Sequence, residues 1–117
     1  MITVKVQRNE QNEIEAITVS GHANAAKHGS DIVCSAVSAV SMGTINAADL
    51  LLNSDPDVQL AEKDGGFLKW NVRPVEDPLV SEKQQLLAEG MVVSLFMIAE
   101  SYGKYVTVHD TKWQGGV

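Results

Sequence analysis

The chain has 117 residues, enough for one domain with a core of its own and no disulfide staples. Its 15 acidic and nine basic residues leave a net charge of −6, which argues against binding nucleic acid by neutralising phosphates. One cysteine cannot close an internal disulfide, and the first ten residues lack the basic-then-apolar order of a secretory leader, so we expect a soluble cytoplasmic protein.

Taken in chain order, Ile2, Val4 and Val6 alternate with Thr3, Lys5 and Gln7, the pattern of a half-buried strand. A polar turn follows over 9–12, and Ile14 to Ser20 resumes the strand pattern, which makes a hairpin. Gly21 to Ser30 reads as a mobile loop of small residues. Ser30 or Asp31 can cap a helix from Ile32 to about Leu52 that carries no charge between Asp31 and Asp49. Val58 and Leu60, then Phe67, Trp70 and Val72, predict a second hairpin across 63–66. Ser81, with Gln84 as its capping-box partner, predicts the start of a second helix that Gly103 stops. Its segment Met91 to Ala99 is the longest nearly uncharged apolar run identified, far short of the roughly 20 residues a bilayer needs, so no membrane partner is expected. Tyr105 to Val108 predicts a last strand, and 111–117 a tail. The expected fold is α+β: one domain over 1–117, a mixed or antiparallel sheet of about five strands, and two long helices in the order β-β-α-β-β-α-β.

The chemistry concentrates in 21–38, which holds the lone cysteine and two of the three histidines. A helix beginning at Asp31 or Ile32 puts Cys34 in its first turn, where free backbone N–H groups and the dipole favour a thiolate and the same N–H groups would stabilise an oxyanion. His22, after Gly21 at a strand end, is the better placed base of the two loop histidines; His28 reads as solvated. Asp31 has two open readings, a helix cap or a carboxylate orienting His22, and a carboxylate near the thiol opposes its ionisation. Ser38 lies one turn beyond Cys34 on the same face. Cys34 also has a plain packing reading, which would make the chain a non-catalytic binding module for a basic ribosomal segment. Metal sites use several cysteines or closely paired histidines; neither pattern is present, so no metal and no cofactor are expected.

Gly21-His22-Ala23, eleven residues between His22 and Cys34, and Gly29-Ser30-Asp31-Ile32-Val33-Cys34-Ser35-Ala36-Val37-Ser38 together resemble the ribosomal-processing cysteine protease Prp family, the YsxB-like proteins. Ser35 stands where many members carry Ala. The resemblance implies a cytoplasmic, homodimeric α/β endopeptidase that removes a short N-terminal extension from large-subunit ribosomal protein twenty-seven, after an aromatic-containing motif. It also implies Cys34 as nucleophile and His22 as general base and acid, with Asp31 and Ser38 as possible supporting residues. Ala23, Asn24, Ala25, Ala26, Lys27, His28, Gly29 and Ser30 would form a loop that moves to admit the peptide.

Overall fold

The structure is a computed structural model that describes residues 1–22, 27–61 and 66–114, with 27–31 and 114 described through their backbone alone. Strand β1 (Ile2–Arg8) pairs antiparallel with β2 (Ile14–Gly21), as the alternation predicts. Ile2, Val4 and Val6 are buried, whereas Lys5 and Gln7 face water. Asn9 closes the turn between them: its Oδ1 accepts the N–H groups of Gln11 at 3.0 Å and Glu13 at 2.9 Å. Asn12 takes a φ of +67°, which its short polar side chain tolerates.

Helix α1 (Lys27–Leu52) leads to β3 (Asp57–Leu60) and β4 (Phe67–Asn71), an antiparallel pair. Helix α2 (Pro78–Ser101) then leads to β5 (Val106–Asp110) and a short α3 (Thr111–Gln114), the start of the expected tail. The sheet order is β3-β4-β2-β1-β5. All neighbours are antiparallel except β1 and β5, so the sheet is mixed. A parallel neighbour needs a long crossover, and α2 supplies it.

Both long helices cover one face. Val33, Val37, Ile45 and Ala48 of α1, and Ala88, Met91, Val92 and Leu95 of α2, share a core with Val4, Ile17, Leu68, Trp70 and Val106 of the sheet. Over 32–52, α1 is long and apolar enough to cross a membrane by length and composition, a run longer than Met91 to Ala99. Its core-facing residues are seated on the sheet instead.

Two helix starts differ from expectation. Helix α1 begins at Lys27, four residues before Asp31, so Ser30 and Asp31 lie within it and neither is its cap. Helix α2 begins at Pro78 rather than Ser81. Asp77 caps it, its Oδ1 accepting the Leu79 N–H at 2.9 Å, and Pro78 brings a preset φ to a position that needs no N–H. Ser81 instead ties down the incoming chain, accepting the Val75 N–H at 2.8 Å and donating to the Val75 carbonyl at 3.1 Å. Gln84 donates to the Arg73 carbonyl at 2.7 Å. Helix α2 ends at Ser101 with Tyr102 as its cap, and Gly103 does not adopt a left-handed φ.

An ionic cluster, absent from the sequence reading, joins β1, α2 and β5. Arg8 Nε and Nη2 donate to the two Asp110 carboxylate oxygens at 2.8 Å each. Nη1 and Nη2 donate to the two Glu89 oxygens at 2.7 and 2.9 Å, and Nη1 also donates to the Asn12 carbonyl at 2.8 Å. All five guanidinium N–H groups are thereby used. The Arg8 and Asp110 side chains are 2% and 0% exposed.

Candidate active site

The cleft at the β2–α1 end of the sheet is built from three backbone features. Gly21 ends β2 with a φ of +93°, and a Cβ there would run into the Met1 carbonyl just before β1. Its N–H donates to the Gly66 carbonyl at 2.7 Å, which fixes the strand end against the approach to β4. The Met1 amino group donates to the His22 carbonyl. His22 therefore leaves a held strand end, as its position after Gly21 predicts, with an exposed side chain.

Gly66 has a φ of +71°, and a Cβ there would stand 2.5 Å from His22 Nε2 and 2.7 Å from Cε1. The imidazole occupies the space that a side chain at 66 would take. Gly66→Ala is expected to displace the ring and strain the backbone together. The His22 ring signals, read by NMR beside a thermal melt, check this: unshifted signals in a folded variant would mean the ring does not depend on Gly66.

Cys34 projects from α1, half-buried and packed against the core. Cys34, Val37, Ser38, Ser41 and Met42 recur at helical spacing and line one side of the cleft. Leu60 at the end of β3 and Ala61 after it, with Gly66, Phe67 and Leu68 at β4, line the other, and Gly21 and His22 close the end. The cleft volume is about 300 Å³. The structure thus brings His22, Cys34 and Ser38 to one cavity.

Other expectations are corrected or fall elsewhere. Cys34 is the eighth residue of α1, in its third turn, because the helix starts early. Its N–H is directed into the helix ladder, so neither helix-start activation of the thiol nor an oxyanion site from free helix-start N–H groups holds. Lys27, His28, Gly29 and Ser30 belong to α1, not to a loop; Ala23, Asn24, Ala25 and Ala26 lie outside the described residues. Asp31 is placed by its backbone in α1. His109 sits on β5, on the open face with Lys5 and Thr18, and does not line the cleft. Among the described residues, no group of three or more His, Cys, Asp or Glu could hold a metal. The sequence reading missed Ser41, although it follows Cys34 by two turns, and Gly66, which it took only as turn punctuation.

A thiol and an imidazole lining one apolar cleft of an α+β domain define a candidate cysteine-dependent hydrolase. The family model for cysteine protease Prp matches residues 1–107. The ribosomal processing cysteine protease Prp of Bacillus subtilis is 39% identical over 102 residues, covering 87% of this chain and 90% of that one. The crystal structure of an essential ribosomal processing protease Prp from Staphylococcus aureus in complex with a substrate peptide has a TM-score of 0.78 at 30% identity, covering 93% of this chain and 98% of the other. The same S. aureus protease in complex with a covalently linked product peptide gives a TM-score of 0.77 at 31% identity over 93% and 98%. This chain belongs to the cysteine protease Prp family, as its motif implied. It is a cysteine protease, and the non-catalytic reading is set aside.

Proposed function

We propose that this chain is a cytoplasmic endopeptidase that removes the N-terminal extension of large-subunit ribosomal protein twenty-seven during ribosome maturation, with Cys34 as nucleophile and His22 as general base and acid. The observation that carries the residue assignment is the shared cleft of His22 and Cys34 in a chain of this family. The relatives' ribosomal-processing names support the substrate class.

In this reading the Cys34 thiolate attacks the scissile carbonyl and the C–N bond breaks. Protonated His22 gives its proton to the departing amine, leaving the extension as a thioester on Cys34. Neutral His22 then takes a proton from water, whose oxygen attacks the thioester and frees Cys34. Ser38, exposed on the Cys34 face of α1, offers its hydroxyl to the developing oxyanion in place of a helix-start N–H. The apolar walls of Val37, Met42, Leu60, Phe67 and Leu68 suit an aromatic substrate side chain.

The substrate assignment predicts one cut, at the junction, in a peptide spanning the extension and the start of the mature protein, read by mass spectrometry. An intact junction alongside cleavage of unrelated peptides would withdraw it.

The proposal includes a homodimer. Leu86, Val93 and Met97 are exposed on α2 at 72%, 46% and 64%, more apolar surface than one helical layer over a sheet requires. Light scattering across micromolar concentrations is expected to report the dimer mass; a concentration-independent monomer mass would contradict it.

A further inference from the structure

A second cleft, of about 380 Å³, opens at the other end of the sheet, between the β1–β2 hairpin and the start of α2. Gln84 lines it. That side chain is 3% exposed, and its Nε2 is committed to the Arg73 carbonyl at 2.7 Å. Its Oε1 accepts no hydrogen bond among the described residues, yet it is not sealed in the protein as Ser41 Oγ and Trp70 Nε1 are. A buried amide acceptor thus meets the cleft with its lone pairs free. The surrounding backbone is tied down. Gln85 pairs with both the N–H and the carbonyl of Ile14, at 2.9 and 2.8 Å, and the Val72 N–H donates to the Glu15 carbonyl at 2.9 Å.

The charges around this acceptor define what would fit. Glu13 and Glu15 line the same cleft and are exposed. Glu13 Oε1 accepts from Asn9 at 3.0 Å, which leaves Oε2 free among the described residues. Arg73, the one cation lining the cleft, is paired with Asp57 at 3.0 Å. Two carboxylates alone would be a solvated rim. Beneath them, however, lies a buried acceptor without a donor, and such groups concentrate where a ligand completes them. A Lys or Arg side chain carries donors only, and would meet the carboxylates with its charge and Gln84 Oε1 with an N–H.

We propose that this second cleft is an exosite that takes a Lys or Arg side chain from the mature part of the substrate. A ribosomal protein carries such side chains to neutralise RNA phosphates. Ala16 lines this cleft and Gly21 the catalytic one, and the stretch of β2 between them spans about 17 Å. An extended peptide covers at most about 3.6 Å per residue, so the basic side chain lies at least about five residues past the scissile bond. The choice of substrate rests on the function proposed above.

The test uses the full chain and two junction peptides of equal length. One keeps its Lys and Arg residues at that distance past the scissile bond, and the other has Gln in their place. Wild type is expected to show the lower KM for the basic peptide at equal kcat. In the double variant Glu13→Gln and Glu15→Gln this advantage is expected to fall roughly three- to tenfold, with kcat and the KM of the Gln peptide unmoved. Gln84→Met, which keeps the length and loses the acceptor, is expected to shift KM the same way. Should it fail to fold, the exposed carboxylate pair still decides. The double variant Asp49→Asn and Glu100→Gln removes the same charge from exposed positions on α1 and α2, and is expected to leave the advantage intact. An equal loss there would mean diffuse attraction to an acidic surface, and an undiminished advantage without Glu13 and Glu15 would leave the cleft without a role; either result overturns the exosite. If wild type cuts neither peptide, the proposed cleavage falls by itself. The same ratio is then read as Kd by fluorescence anisotropy: a fall in the Glu13→Gln and Glu15→Gln variant supports the exosite, and an unchanged ratio overturns it.

Discussion

Cys34→Ala is expected to lower kcat for peptide cleavage by at least about 10⁴-fold, to background. His22→Ala is expected to lower it by about 10²–10⁴-fold, the usual worth of a positioned acid and base. The two groups act as one unit, so the double variant should be no slower than Cys34→Ala alone. Ser38→Ala should lower kcat by about 10–100-fold with little change in KM, because an oxyanion donor strengthens its bond only as charge develops. Far-ultraviolet circular dichroism on each variant separates a chemical loss from an unfolded chain. Near-wild-type kcat in folded Cys34→Ala would place the nucleophile elsewhere. An equal rise in KM with kcat intact in Ser38→Ala would make Ser38 a binding residue.

The largest stability effect is expected at Arg8. Arg8→Ala should destabilise the fold by about 3–5 kcal/mol, since it strips the Asp110 carboxylate, 0% exposed, of its guanidinium. Domains of this size have only about 5–15 kcal/mol in total. Urea denaturation measures it directly; a loss under about 1 kcal/mol would mean Asp110 finds water or another donor. The cluster also sets an acid limit. The hydrogen bond from Arg8 holds Glu89 below its ordinary 4.5, joined by the attraction of Arg8 and Lys112 and opposed by burial. The folded value lies below the unfolded one, so this contribution is complete above about pH 4.5 and is lost as pH falls through the lowered value. Wild type should therefore lose urea resistance on acidification in that window, and Arg8→Ala should lose less.

What could be read from the sequence follows from the range of each signal. Alternation at Ile2, Val4 and Val6 marks a strand because side chains repeat every two residues. It says nothing of neighbours, and β1 lies between β2 and β5 because α2 carries the chain across. Cap chemistry found two helices but misplaced both starts. Asp77-Pro78 outcompetes Ser81, whose hydroxyl is used on Val75, and α1 extends past Ser30 to Lys27. Cys34 and His22 were legible from residue type and the Gly21 strand end, and Ser38 from helical spacing. Ser41 obeys the same spacing, yet its lack of a partner exists only in three dimensions. Gly66 touches His22 because β4 pairs with β2, and Arg8 meets Asp110 across 102 positions; no local pattern encodes either.

The measurement that bears most directly on Cys34 is the intact mass of the protein quenched rapidly with the ribosomal extension peptide. A catalytic Cys34 predicts a transient species equal to the chain plus the N-terminal fragment less water, mapped by digestion to Cys34 and absent in Cys34→Ala. Cleavage that proceeds undiminished in Cys34→Ala, with no adduct in wild type, would contradict a thioester on this residue.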